Sequence, residues 1–387
     1  MGADISPTGG EREIAEDYRR QLQERVNRRL IVPRDIRTAA EAIRGHSLFL
    51  AKVYSTTTGQ PDVGGALEDL QRELESGSLP SPHDDALFHA IVRHLGRSVE
   101  QVCSGWGLPV DKIALGVSSD GVLEAARHAV PTTDASVVSI SAGMILFCSH
   151  LSKVMALSLP HRMNVGQDRI EISHEVDEVF ERLNQNPTLK KDWFEVLGAY
   201  AYGDPSVIPH RLVPFPASYT CALFRNAMEL FAIAHEYGHH VCRHGRSDEA
   251  SVGDGHGAQA VAEEFEADRF ALAVSRQIDL DPFAASGAGA VLLMKGLEFV
   301  RRASEILKTG TDDGLRYDSH PRADERVRRL AELASGLDQK TAAAFMATRQ
   351  NLSHLLDRIW VGVRPLLLDF HEHGIGPVEF DTGWRPG

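Results

Sequence analysis

The sequence predicts a mainly α-helical protein carrying one small β-sheet, an α+β arrangement. Three observations carry this. Apolar residues recur at helical spacing over most of the chain, as in Ile14, Tyr18, Leu22 and Val26 at steps of four. Two short runs, Lys112–Val117 and Ser136–Ile140, are instead rich in β-branched and apolar residues, with turn formers between them. The composition is that of an ordinary globular protein: 387 residues, 43% hydrophobic and 25% charged, enough for a sizeable core and two or three domains.

Taken in order, residues 1–10 are rich in Gly, Pro and Ser and are expected to form a flexible tail. Residues 11–107 read as a helical N-terminal domain. A helical pattern runs from Glu11 to about Ala51, interrupted at Pro33, and a Thr/Gly/Pro-rich loop follows from Ser55 to Gly65. Further helices are expected at Leu67–Leu74, Asp84–Leu95 and Ser98–Gly105. A second domain over residues 108–335 begins with the two strands, which are separated by Gly121 and by Pro131-Thr132-Thr133-Asp134. The most apolar stretch, Ala142–Leu159, comes next. It is short for a bilayer and contains Ser149, His150, Ser152 and Lys153, so it reads as a buried helix and not a membrane span. A helical insertion is expected over about 151–216, with prolines at 187, 205, 209, 214 and 216. Long helices follow at Ser218–His244, Ala258–Gln277 and Ala290–Lys308, and another begins at Pro321. Residues 336–387 read as a C-terminal helix and tail.

The net charge of −13 argues against nucleic acid or an anionic membrane as partner, since either favours a basic surface. The pairs Arg19–Arg20 and Arg28–Arg29 interleave with acidic residues and read as solvated helix faces. Cys103, Cys148, Cys221 and Cys242 form no CxxC pair, so no structural thiolate zinc site is signalled, and the four suggest free thiols in a reducing compartment. Met1–Arg12 shows no basic segment followed by an apolar one, so a cytoplasmic location is expected.

One segment carries chemistry. His235-Glu236-Tyr237-Gly238-His239 matches HExxH. Residues four apart share a helix face, so both imidazoles can reach one metal ion, each through a nitrogen at roughly 2.0–2.1 Å. Glu236, displaced by one residue, sits beside the metal, where its carboxylate can take a proton from a water activated there. A catalytic zinc usually has three protein ligands. A histidine ten positions after the first is excluded, because that position is Gly245. His240 points about 100° away from His239, and His244 reads as a helix-end residue. The better candidate lies downstream in Glu263-Glu264-Phe265-Glu266-Ala267-Asp268, where Glu264 and Asp268 share a face. Two buried carboxylates repel unless a cation is near. Glu264 is therefore expected as third ligand, with Asp268 as an outer partner that orients a ligand histidine.

HEYGHH, followed by EFEAD and then by Ser319-His320-Pro321 and Arg326, resembles the gluzincin family of HtpX-like and CAAX-prenyl-protease-like metallopeptidases. The resemblance covers roughly residues 110–335. It implies a zincin-like catalytic domain with His235, His239 and Glu264 holding one zinc ion, Glu236 as general base and Asp268 as the acid of ExxxD. It further implies that His320 and Arg326 contact substrate and the transition-state oxygen. The run Ser136–Ile140 resembles the family's edge strand, which binds a peptide by main-chain hydrogen bonds. The best-known members are embedded in membranes, and the segment between edge strand and HExxH is long here. Soluble bacterial peptidases related to phage-repressor-cleaving regulators also carry HExGH and a later glutamate.

The expected activity is zinc-dependent peptide hydrolysis, an endopeptidase acting on a peptide or protein substrate, with Tyr317 as a further source of oxyanion support. The alternative is a metal-binding regulatory or sensor protein with a peptidase-like fold and little proteolysis; an intact Glu236 counts against it. His320 has a second reading as the residue before a helix that opens on Pro321.

Overall fold

The structure is a computed structural model that describes residues 8–26, 35, 37–39, 41, 79–164, 169–173, 175–209, 211–244, 256–278, 282–313, 315, 321–333 and 337–374. Among the described residues helix accounts for 71% and strand for 8%, so the mainly helical α+β expectation holds. The expected loop at 55–65, the helix at 67–74 and the arginine pair 28–29 lie outside the described residues. The chain falls into two compact units, one formed by Met1–Ile145 with Ala232–Ala250, the other by Leu146–Phe231 with Ser251–Gly387.

The first unit is built on a three-stranded sheet. Its strands are β1 (Ile113–Ser118), β2 (Ala125–Ala129) and β3 (Ser136–Ser141). β3 is central, parallel to β1 and antiparallel to β2. This corrects the expectation that Ser136–Ile140 is an edge strand: its backbone groups are consumed on both sides by ladder bonds. β2 was missed in the sequence because AARHA lacks the β-branched and aromatic residues that mark strands.

Two helices pack on this sheet: α1 (Thr8–Glu24) against β1 and β3, and α2 (Ala86–Gly105) against β1. α1 and α2 thus both pack on the strands. α1 starts at Thr8, inside the stretch expected as a tail. Its apolar residues Tyr18 and Leu22 pack on the cluster of Ala15, Ala114, Val130, Ala135 and Val137. Ile14, however, is 48% exposed, while Arg19 and Gln23 are buried. Arg19 therefore does not lie on a solvated face; its guanidinium grips Asp84 with both nitrogens, at 2.7 and 3.1 Å. Gln23 Nε2 donates to Asp84 Oδ1 at 2.8 Å and to the Val117 carbonyl at 2.6 Å. α2 is one continuous helix, capped by the Asp85 carboxylate on the Phe88 amide, where two helices were expected. Gly96 is in the helix interior, and the Leu115 side chain lies where a Cβ would stand.

The apolar stretch after β3 is helix α3 (Ala142–Ser158), largely buried as expected. Among the described residues no helix is long and apolar enough to cross a membrane. The second unit adds a hairpin of β4 (His161–Asn164) and β5 (Arg169–Ile172), then α4 (Val176–Gln185) and α5 (Pro187–Tyr202). α6 (Ala217–Val241) begins in this unit and ends in the first. The chain continues through α7 (His256–Gln277), the short α8 (Pro282–Ser286), α9 (Ala288–Thr309), α10 (Ala323–Glu332) and α11 (Gln339–Glu372). Lys295 of α9 is a buried hub that salt-bridges Asp324 of α10 and, at 2.7 Å, Asp357 of α11. Gly289 of α9 lets that helix press on α6, because a Cβ there would stand 2.5 Å from the Ala227 carbonyl carbon and oxygen. None of the four cysteines is in a disulfide.

Candidate metal centre

The last two turns of α6 carry the motif, and the first unit fixes them from three sides. Tyr237 is fully buried and its hydroxyl donates to Glu100 of α2 at 2.9 Å. Burial, with Glu100 beside it, raises the Tyr237 pKa, so the hydroxyl stays a donor. His240 Nε2 lies 3.1 Å from the Pro109 carbonyl, which can only accept, so that nitrogen carries the proton. Its Nδ1 then accepts from Ser136 Oγ of β3 at 2.8 Å, and Ser136 Oγ itself accepts from Arg127 Nε at 3.1 Å. His240 is thus spent on holding α6 to the sheet, in keeping with its rejection as a ligand.

This anchoring presents His235 and His239 side by side. Their Nε2 atoms are 3.1 Å apart, and the rings meet edge to face with centroids at 4.7 Å. His235 and Glu236 are both buried. Together with Glu264 of α7, the two histidines offer ligand atoms that all lie within 4.8 Å of one another. Two nitrogens bound tetrahedrally at roughly 2.0–2.1 Å stand about 3.3 Å apart, close to the separation found. Two neutral imidazoles and one carboxylate also form a donor set suited to a borderline divalent cation. The residues fit such an ion.

Within the second unit, Glu264 and Asp268 are both buried one turn apart on α7. Arg326 of α10 supplies the cation between them. Its Nε and Nη2 donate to the two Asp268 oxygens at 2.8 and 2.5 Å, and Nη2 lies 3.3 Å from Glu264 Oε2. One guanidinium neutralises one of the two carboxylate charges, leaving the pair with a single net negative charge. This ion pair gives Arg326 and Asp268 a contact beyond the roles expected of them from the sequence. The adjoining α7–α10 groove, about 630 Å³, is lined by Asp268, Arg326, Phe265 and Arg269. Arg329 of α10 stacks over the Phe265 ring at 3.7 Å, which helps hold α10 on α7. His320 and Tyr317 lie outside the described residues.

One residue of the site was set aside in the sequence. His244 Nδ1 lies 2.8 Å from His239 Nδ1, and its backbone carbonyl accepts from Arg127 Nη1 at 2.5 Å. Spacing alone hides this contact, since five residues along a straight helix do not share a face. No family model, curated protein or solved structure matches the chain.

Proposed function

We propose that the protein is a zinc metalloendopeptidase of the zincin type, with His235, His239 and Glu264 as ligands and Glu236 as general base. The observation that carries this is the convergence of two imidazoles and a carboxylate, with a buried Glu236 next to the first ligand on the same helix. A bound zinc ion supplies Lewis acidity that brings the pKa of an attacking water towards about 7. The chain's own residues do the rest. Glu236 takes the proton of the attacking water and returns it to the leaving amine. Arg326 pins Asp268 and steadies Glu264, a positioning role. His320 is retained as a substrate contact only on the strength of the resemblance. A peptide adding a strand to the sheet would dock on β2, whose outer edge is bonded to no other described strand. Arg127 of β2 ties that strand to the end of α6.

The test is zinc content and peptide hydrolysis of the wild type beside Glu264→Ala and Glu236→Gln. About one zinc per chain in wild type and Glu236→Gln, most of it lost in Glu264→Ala, with hydrolysis abolished in both variants, is expected. Zinc retained in Glu264→Ala refutes the third ligand. Zinc bound without cleavage of any protein or peptide substrate favours the regulatory alternative.

A further inference from the structure

α6 ends in a particular way. The His244 amide donates to the His239 carbonyl at 3.0 Å and the Arg243 amide to the His240 carbonyl at 3.1 Å. Arg243 between them has φ +59°. These are the paired bonds of a Schellman cap, whose left-handed residue is usually glycine. In such a cap, the residue after the left-handed one folds back onto the one three places inside the helix end, ordinarily through an apolar contact. Here those two residues are His244 and His239, and the contact is polar: ring centroids 5.0 Å apart, Nδ1 to Nδ1 at 2.8 Å.

Two facing ring nitrogens form a hydrogen bond only if one donates and the other accepts. His239 Nε2 is the nitrogen that faces His235 Nε2, so it is the one that must be unprotonated to take a metal. The His239 proton then belongs on Nδ1, which donates to His244 Nδ1, and His244 carries its own proton on Nε2. This is the one neutral assignment that leaves His239 Nε2 open. His244 is itself fixed from outside the helix, since Arg127 Nη1 binds its carbonyl while Arg127 Nε binds Ser136.

We infer that His244 is the positioning residue that sets the tautomer and ring orientation of the metal ligand His239, a role resting on the metal-site reading above. Outer partners of ligand histidines typically contribute 10–100-fold in metal affinity. An asparagine at 244 places its side-chain oxygen where the histidine has Nδ1 and can accept the same hydrogen bond.

The experiment measures zinc affinity of the full chain by competition with a chromophoric chelator, and the cobalt(II) absorption spectrum at saturation, for wild type, His244→Ala and His244→Asn. His244→Ala should bind zinc about 10–100-fold more weakly with an unchanged saturated cobalt spectrum, and His244→Asn should recover most of the loss. A folded His244→Ala within about threefold of wild type, well short of that range, overturns the role. So does a His244→Asn as weak as the alanine variant, which marks a purely structural residue. Should His244→Ala fail to fold, His244→Asn alone decides, and weak binding there refutes the inference. A changed cobalt spectrum makes His244 a direct ligand and also overturns it. A wild type that binds neither metal removes the metal site itself, an outcome distinct from all of these.

Discussion

Glu229 lies on α6 two turns before the motif and is buried, with its carboxylate 4.0 Å from Arg225 Nε. Burial raises its pKa from 4.5 to about 7, and Arg225 only partly opposes this. The other titratable group coupled to it is the Cys148 thiol of α3, itself raised by burial and by Glu229. The linkage has a definite sign. Since the folded pKa is the higher one, the folded state holds a proton between pH 4.5 and 7 that the unfolded chain has released. The resulting stabilisation is complete below the unfolded pKa and is lost as pH rises through the folded one. A shift from 4.5 to about 7, at 1.36 kcal/mol per unit, corresponds to about 3 kcal/mol. Glu229→Gln keeps the shape and removes the charge. The variant should therefore match wild type near pH 4.5 and exceed it by up to about 3 kcal/mol above pH 7. Urea unfolding of the metal-free protein, followed by tryptophan fluorescence across this range, measures the difference; Trp193 is buried in the same unit. Midpoints for wild type and Glu229→Gln that stay parallel from pH 4.5 to 8 would refute the reasoning.

Other perturbations test other parts of the fold. Asp84→Asn leaves the buried Arg19 guanidinium with only the part-exposed Glu16 as counter-charge, and should cost up to about 3 kcal/mol in denaturant unfolding. Gly289→Ala drives a methyl group onto the Ala227 backbone, which cannot yield as a side chain would; a loss of about 1–3 kcal/mol in the same assay is expected. Arg243→Gly relieves a left-handed residue and should raise stability by up to about 1 kcal/mol while leaving zinc affinity unchanged.

Much of this architecture is legible in the sequence, and the exceptions share a cause. Helices with an apolar repeat, such as α3, α6 and α9, follow their expected ranges to within a few residues, because burial along one helix is a local pattern. At Gly96, inside the continuous α2, the cost of glycine in a helix is local, whereas the benefit of letting Leu115 approach is tertiary. α1 misled: its buried face includes Arg19 and Gln23, whose cost is met by Asp84, sixty-five residues on from Arg19. The motif histidines were found by spacing. The Arg326 bridge to Asp268 and Glu264 and the return of His244 depend on a helix from elsewhere in the chain and on a left-handed backbone residue, neither of which has a periodic signature.

The buried guanidinium of Arg19 has a practical consequence for anyone shortening this chain. It occupies the space above Gly116 of β1, where an added Cβ would meet its atoms at 2.2 Å. α1 is in effect a detachable cover for one face of the sheet, fastened by a few polar bonds and a small apolar patch. A fragment that begins after residue 26 would bare Ala114, Val130 and Val137 to water and strip Asp84 of its Arg19 and Gln23 partners. Such a fragment should self-associate through that sheet face. An expression boundary chosen to discard the charged N-terminus as dispensable would therefore trade solubility for brevity.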